Sequence, residues 1–386
     1  KIKMSDSKSE NKRSAEDVSS SNAAKKAKDN VDKAGLTEAE REAATKFLSS
    51  VKVGQLFEKK TLITVQATDS VKTVLEVLNK NNISSAPVHF TAETLDDFLK
   101  QASVSTDSAS SYLGYIDTMD IMFFLAEMYA RNKRKHDHVF KPKELEEYFE
   151  NPVSIYINES SRDPFLPVDS NASLADVLKG LFEYGIHRVP IVEDDNLIGT
   201  VSQSDVVRFF SKHMDKLKAI TDKTLIDFDL VPIKHDQEHE ADKDKPVERH
   251  ANSLLSVLDN ANVIDAVELM MKNQVSTVAI LDVSNKLIGD FSARDLRGII
   301  SSKTFFELDT KLTDVLSYHN KMDDPVTCAA HASLGHVLKL MADNKVHHVF
   351  IVDQLTNHAQ GIVTLTDICR CIAQEFLFKD EKKAKK

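Results

Sequence analysis

Four stretches of the chain place apolar side chains at i, i+3, i+4 and i+7. They are Val71, Val74, Leu75 and Leu78; Leu174, Val177, Leu178 and Leu181; Val263, Ala266, Val267 and Met270; and Leu334, Val337, Leu338 and Met341. That spacing puts each set on one face of an α-helix. The residue before each set is Ser70, Ser173, Asn262 or Ser333, whose side chains suit the capping of free helix N–H groups. Thirteen residues after each first apolar position, a small or basic pair opens an apolar strand: Ser84-Ser85, His187-Arg188, Ser276-Thr277 and His347-His348. Four copies at one internal spacing are an internal repeat, which sets the fold and marks where function is to be sought.

Each copy reads as an opening strand (Leu62–Val65, Phe165–Val168, Leu254–Leu258, Val326–Ala329), the helix, two short strands and a closing helix. In the second copy the last three are Val189–Val192, Leu197–Val201 and Asp205–Phe210. The order β-α-β-β-α makes an α/β unit of roughly 60 residues, marginal alone, so the repeats are expected to pair. The spans are 48–131 for repeat 1, 150–215 for repeat 2, 222–303 for repeat 3 and 307–375 for repeat 4. Repeat 1 carries an insertion at 91–111, whose Leu95, Phe98 and Leu99 predict a short helix before a serine-rich loop. The linker 132–150 is charged and partly helical, with Leu145, Tyr148 and Phe149 as anchors, and 235–249 is a charged loop within repeat 3.

Charge and composition narrow the function classes. The 386 residues carry a formal charge of −10, which argues against a general nucleic-acid surface, so neither DNA nor RNA is an expected partner. Three cysteines, Cys328, Cys369 and Cys371, fit a reducing compartment rather than a disulfide framework. On a helix, Cys369 and Cys371 point to different sides and make a poor metal pair. No apolar run approaches the roughly 20 residues of a membrane span, no signal-peptide core follows the start, and no membrane association is expected. Residues 1–36 read as a disordered polar tail in which Lys12-Arg13 and Lys25-Lys26-Ala27-Lys28 have the spacing of a bipartite nuclear-import signal. A nuclear-import carrier is thus one candidate partner, a merely solvated tail the alternative, and the expected location cytoplasmic, nuclear or both. Residues 379–386 form a lysine-rich tail. The histidines of Lys135-His136-Asp137-His138 and of 235–239 lie in charged linkers without cysteine partners, and no metal site is expected there.

The third strand of each repeat turns into its closing helix through a septet that starts at glycine and ends at aspartate: Gly114 to Asp120, Gly199 to Asp205, Gly289 to Asp295 and Gly361 to Asp367. Two readings use the same atoms. Ser202 with Asp205, Ser292 with Asp295 and Thr364 with Asp367 have the spacing of a capping box, with the acid complementing the helix dipole. Alternatively, a carboxylate at a helix start can accept hydrogen bonds from the two hydroxyls of a ribose. The hydroxyls of Ser202, Ser204, Ser292, Thr364 and Thr366, with the free helix N–H groups, then suit phosphate oxygens. Phosphate also needs cations, which His187, Arg188, His347, His348 and Arg294 could supply.

Gly185-Ile-His-Arg-Val-Pro-Ile-Val192 followed by Gly199-Thr-Val-Ser-Gln-Ser-Asp-Val206 resembles the CBS (cystathionine β-synthase) repeat. So does Val346-His-His-Val-Phe-Ile-Val352 with Gly361-Ile-Val-Thr-Leu-Thr-Asp-Ile368; Ile83-Ser-Ser-Ala-Pro-Val88 and Val275-Ser-Thr-Val-Ala-Ile280 match more loosely. Four such repeats resemble the γ regulatory subunit of the AMP-activated protein kinase family. The resemblance implies two paired-repeat (Bateman) modules in a flat pseudo-symmetric disc, with up to four adenine-nucleotide clefts. By motif position, Asp120, Asp205, Asp295 and Asp367 would bind ribose, and His187, Arg188, His347 and His348 would face phosphates. Thr64, Ser84, Ser256 and Thr327 would lie beside the nucleotide. The γ family often places arginine where Ser84 and His348 stand here, which implies weaker phosphate binding.

No Gly-x-Ser-x-Gly elbow, P-loop or His-Glu-x-x-His occurs, and the repeats leave no room for a catalytic domain. The expectation is a non-catalytic energy sensor without cofactor that binds AMP, ADP or ATP and controls a protein kinase through its catalytic and scaffold subunits. The rival is a nucleotide-independent scaffold or inhibitor acting on a kinase or phosphatase.

Overall fold

The structure is a computed structural model that describes residues 36–56, 62–91, 112–134, 142–157, 163–194, 196–232, 254–295, 308–318 and 324–378. The two terminal tails, nearly all of the insertion, the charged loop 235–249 and both histidine-rich stretches lie outside the described residues.

Helix α1 (Glu38–Ser50) comes first and is opened by a capping box between Thr37 and Glu40. Repeat 1 contains β1 (Val65–Gln66), α2 (Val71–Lys80), β2 (Ser85–His89), β3 (Tyr112–Asp117) and α3 (Thr118–Arg134). Helix α4 (Pro142–Glu150) leads to repeat 2, with β4 (Val168–Asp169), α5 (Leu174–Glu183), β5 (Arg188–Glu193), β6 (Asn196–Ser202) and α6 (Gln203–Lys212). Repeat 3 has β7 (Ser256–Leu258), α7 (Val263–Asn273), β8 (Thr277–Leu281) and β9 (Leu287–Ser292), and helical residues 293–295 open its closing helix. Helix α8 (Leu312–Tyr318) precedes repeat 4, made of β10 (Thr327–Cys328), α9 (Leu334–Asn344), β11 (His348–Val352), β12 (Ala359–Thr364) and α10 (Leu365–Phe376).

Every apolar position that predicts α2, α5, α7 and α9 is buried. Ser70, Ser173 and Ser333 cap their helices by accepting N–H bonds at 3.2 Å from Thr73, Asp176 and His336. Each repeat folds as a three-stranded sheet, the opening strand parallel to the central one and the third antiparallel to it. The opening strands are shorter and start later than expected, at Val65, Val168, Ser256 and Thr327. Only those residues find ladder partners on the central strand, although the carbonyls of Leu255 and Val326 just before them still accept from Ala279 and Phe350 N–H at 2.9 Å. The closing helix of repeat 2 starts two residues earlier than expected, at Gln203, because Ser202 rather than a later residue serves as its cap. Tyr148 acts as the expected anchor: it is buried, and its hydroxyl donates to the Ile121 carbonyl at 3.0 Å.

Four interfaces join the repeats in a closed ring. The helices of repeats 1 and 3 share one apolar core, and those of repeats 2 and 4 share another, which α1 joins through Ala44 and Leu48. The sheets meet in the other combination. Tyr115 of β3 is hydrogen-bonded to Thr200 of β6 at 2.8 Å, whereas Ala279, Leu281 and Leu287 of repeat 3 pack on Phe350 and Val352 of repeat 4.

The sheet-paired repeats also exchange the segments that precede them. The stretch before repeat 1 docks on repeat 2, where Leu174 N–H donates to Val51 O at 2.8 Å and Val53 N–H to Ala172 O at 2.9 Å. The stretch before repeat 2 docks on repeat 1, through Val153 N–H to Asp69 O at 2.8 Å. Repeats 3 and 4 repeat the exchange, with Leu334 N–H to Lys223 O at 2.8 Å and Leu312 N–H to Ala261 O at 2.9 Å. The septet glycines of repeats 1 and 4 lie under these arms. A Cβ on Gly114 would come within 2.9 Å of Ile157, and one on Gly361 within 2.7 Å of Pro232. The Ile157 side chain and the Pro232 ring thus fill the space that a Cβ would need at these two positions.

Candidate functional site

The strand-opening pair and the closing helix are locked together by one hydrogen bond that recurs in every repeat. Thr118, Gln203, Ala293 and Leu365, at the starts of the closing helices, donate their N–H to the carbonyls of Ser84, His187, Ser276 and His347 at 2.9–3.0 Å. The predicted bases and the predicted acids are therefore brought to one end of each sheet by backbone geometry.

At that end the junction aspartates are engaged in capping. Asp205 accepts from Ser202 N–H at 2.8 Å and from its hydroxyl at 2.5 Å. Asp295 does the same with Ser292 at 2.9 and 2.6 Å, and Asp367 with Thr364 at 2.9 and 2.6 Å. In repeat 1 an acid replaces the hydroxyl. Asp120 accepts from Asp117 N–H at 2.8 Å, and Asp117 accepts from Met119 and Asp120 N–H at 2.7 and 2.9 Å. In repeats 2 and 4 the second carboxylate oxygen, Oδ1, faces a cation, Arg208 or Arg370. Capping thus uses one oxygen and leaves the other oriented for a second partner. Asp205 is the most open of the four; Asp120, Asp295 and Asp367 are buried. Burial, only partly offset by the bonds from Thr364, raises the pKa of Asp367.

The cations of repeats 2, 3 and 4 converge. His347 lines a shallow cleft with Ser204, Arg208, Lys345 and Leu365. Its pKa is lowered, first by the surrounding protein atoms and then by the charges of Arg294, His348, Arg188 and His187. His347 is exposed on the cleft. Water there screens part of the positive field. Arg294, which is exposed, donates to the Lys345 carbonyl at 2.9 Å and so ties repeat 3 to the end of α9. His348 Nε2 lies 3.2 Å from Asp290 Oδ2 of repeat 3. Thr366 donates to Gln203 Oε1 at 3.0 Å, joining the starts of α10 and α6, and Ser204 is partly buried on the cleft wall. Thr64, Ser84, Ser256 and Thr327 are partly buried at or beside the opening and central strands.

Sequence reasoning missed Asp163. It lies before β4, is buried, and meets both members of the repeat 2 pair: His187 N–H donates to its Oδ1 at 2.7 Å, His187 Nδ1 lies 3.0 Å from the same oxygen, and Arg188 Nε lies 3.0 Å from Oδ2. Arg188 also lies over the Tyr115 ring, 5.6 Å from its centre, and 4.0 Å from Asp117 Oδ2. A lone aspartate 24 residues upstream carries no local signal of this contact.

Cys369 and Cys371 are both buried because α10 is enclosed by neighbouring helices, and burial pushes the Cys369 thiol up to about 12. Among the described residues no group of three or more histidine, cysteine or acidic side chains is placed to hold a metal ion, and no helix is long and apolar enough to cross a membrane.

The family model described as CBS domain matches residues 157–212, 250–302 and 314–374. Among curated proteins, Protein SDS23 of Candida albicans is 22% identical over 325 residues, covering 79% of this chain and 49% of that protein. A SNF1-related protein kinase regulatory subunit gamma-1-like of Arabidopsis thaliana is 24% identical, covering 55% of this chain and 47% of the relative. The human 5'-AMP-activated protein kinase subunit gamma-3 is 22% identical, covering 71% and 52%. The chain thus spans about half the length of these relatives. A solved structure from Methanocaldococcus jannaschii, described as an archaeal homologue of γ-AMPK, superposes with a TM-score of 0.59 at 17% identity, covering 83% of this chain and 99% of its own. That likeness shows the fold.

Proposed function

We propose that this CBS-domain protein is a non-catalytic regulatory protein that binds an adenine nucleotide between its paired repeats and controls a partner protein kinase. The observation that carries the reading is the bond that recurs in every repeat, from Thr118, Gln203, Ala293 and Leu365 N–H to the carbonyls of Ser84, His187, Ser276 and His347, which brings the strand-opening pair and the junction aspartate to one end of each sheet. Beside it, helix starts at Ser202 and Thr364 supply hydroxyls, and Asp205 and Asp367 supply carboxylates for a ribose. The relatives named as regulatory and gamma subunits of protein kinases support the partner class. A ligand of this kind acts on a partner only through different affinities for two states of the complex. Binding at metabolite concentrations, micromolar to millimolar, corresponds to about −8 to −4 kcal/mol.

Isothermal titration of AMP, ADP and ATP into the whole chain tests the reading. Saturable heat is expected, lost in Asp205→Ala or Asp367→Ala; no heat at millimolar nucleotide would sink it. An anion arriving beside neutral His347 raises that group's pKa, so binding should take up a proton. The measured heat at pH 6 should then change with the ionisation enthalpy of the buffer.

One observation favours a second reading, a nucleotide-independent scaffold: the His187-Arg188 pair already faces a carboxylate, Asp163. That reading expects kinase or phosphatase capture to be unchanged when Asp120, Asp205, Asp295 and Asp367 are all replaced by alanine.

A further inference from the structure

Asp163 meets the repeat 2 cations as a bound phosphate would. Its two oxygens span a backbone N–H, an imidazole nitrogen and a guanidinium nitrogen within 2.7–3.0 Å. The carboxylate side chain is 6% exposed and Arg188 is 15% exposed, so the contact is sheltered from water and little screened. Asp117 of repeat 1 adds a second negative charge to Arg188 from the opposite sheet. Arg188 Nε and Asp163 Oδ2 are paired by charge and not by a hydrogen bond, so an incoming anion would meet two like charges already beside the guanidinium.

We propose that Asp163 is a built-in counter-anion that closes the phosphate position of repeat 2, so that nucleotide phosphate enters there only by displacing it. The inference rests on reading the repeat junctions as anion sites. It assigns Asp163 as the residue that decides how many of those sites are open. Replacing the carboxylate by an amide of the same shape removes its negative charge from beside His187 and Arg188. The charge of Arg188 is then available to an added phosphate.

The test uses the whole chain and two probes, inorganic tripolyphosphate and AMP, on the wild type, Asp163→Asn and the exposed control Asp324→Asn. Asp163→Asn should bind tripolyphosphate at least tenfold more tightly than the wild type, or with one added site, and Asp324→Asn should match the wild type. Equal affinity and stoichiometry in Asp163→Asn would overturn the inference. If Asp163→Asn does not fold, the wild type decides by histidine-resolved NMR. Submillimolar tripolyphosphate should leave the His187 resonances in place, and a saturable shift of His187 would overturn the inference. The AMP arm separates the two ideas. A wild type that binds AMP while Asp163→Asn gains nothing refutes the inference alone. A wild type that binds no AMP while Asp163→Asn gains tripolyphosphate binding refutes the nucleotide reading and leaves Asp163 as proposed.

Discussion

The sheet interface between repeats 1 and 2 and that between repeats 3 and 4 have the same topology and different chemistry. The first is held by Arg188 against Asp163 and Asp117, with the Tyr115 ring and its bond to Thr200 beside them. The second is built from Ala279, Leu281, Leu287, Phe350 and Val352, with His348 beside Asp290 and hydrogen bonds between Asn357 and the Leu287 backbone at its edge. Apolar contact is favourable wherever shape allows, whereas a buried ion pair offsets a large desolvation cost only when its geometry holds. The repeat scaffold therefore accepts either solution, and charge at an interface signals a role beyond cohesion.

The largest expected effect is on the apolar side. Phe350 is fully buried, and Phe350→Ala should lower stability in urea unfolding by about 3–5 kcal/mol. A loss under about 1 kcal/mol would mean that the interface contributes little. On the charged side Arg188→Met removes the cation beside Asp163 and Asp117 and should cost about 3 kcal/mol, and adding Asp163→Leu should recover most of it. Failure of the double variant to recover stability would show that the pair is worth more than an apolar replacement.

Acid should separate the two interfaces further. Burial pulls the pKa of Asp163 up, but the Arg188 charge and the His187 bonds outweigh it, so the folded value lies well below the usual carboxylate range. Its contribution is present above the unfolded pKa near 4 and disappears as pH falls below that. His347 shifts down as well, but as a base, so the unfolded chain takes up the proton first below about pH 6.5. Stability tied to His347 therefore falls as pH drops from about 6.5. Thermal melts should show His347→Gln flattening the limb between pH 7 and 5, and Asp163→Asn changing the profile only below about pH 4. The opposite assignment of the limbs would refute this account. The smallest effect belongs to the caps: Thr364→Ala should cost about 1 kcal/mol by the same melts, with the fold intact.

Much of the architecture was legible because its causes are local. Val71, Val74, Leu75 and Leu78, capped by Ser70, announce a helix and its buried face within eight residues, and the other three repeats do the same. The Ser/Thr and Asp spacing likewise announced capping boxes that recur at 202, 292 and 364. Repeat 1 escaped that pattern because Asp117 takes the place of the hydroxyl. The short opening strands were overextended because alternation of apolar residues does not report where ladder partners end.

By itself the sequence determined four α/β units, their helix faces, their caps and a common meeting point for acid and base. Each of these follows from bonds and side-chain spacings inside a single repeat. Only the tertiary structure decided which repeats share a core, which segments change places, and that Asp163 rather than solvent meets His187 and Arg188. Those choices depend on contacts between residues tens to hundreds of positions apart, where burial and charge are set by what the rest of the chain brings alongside.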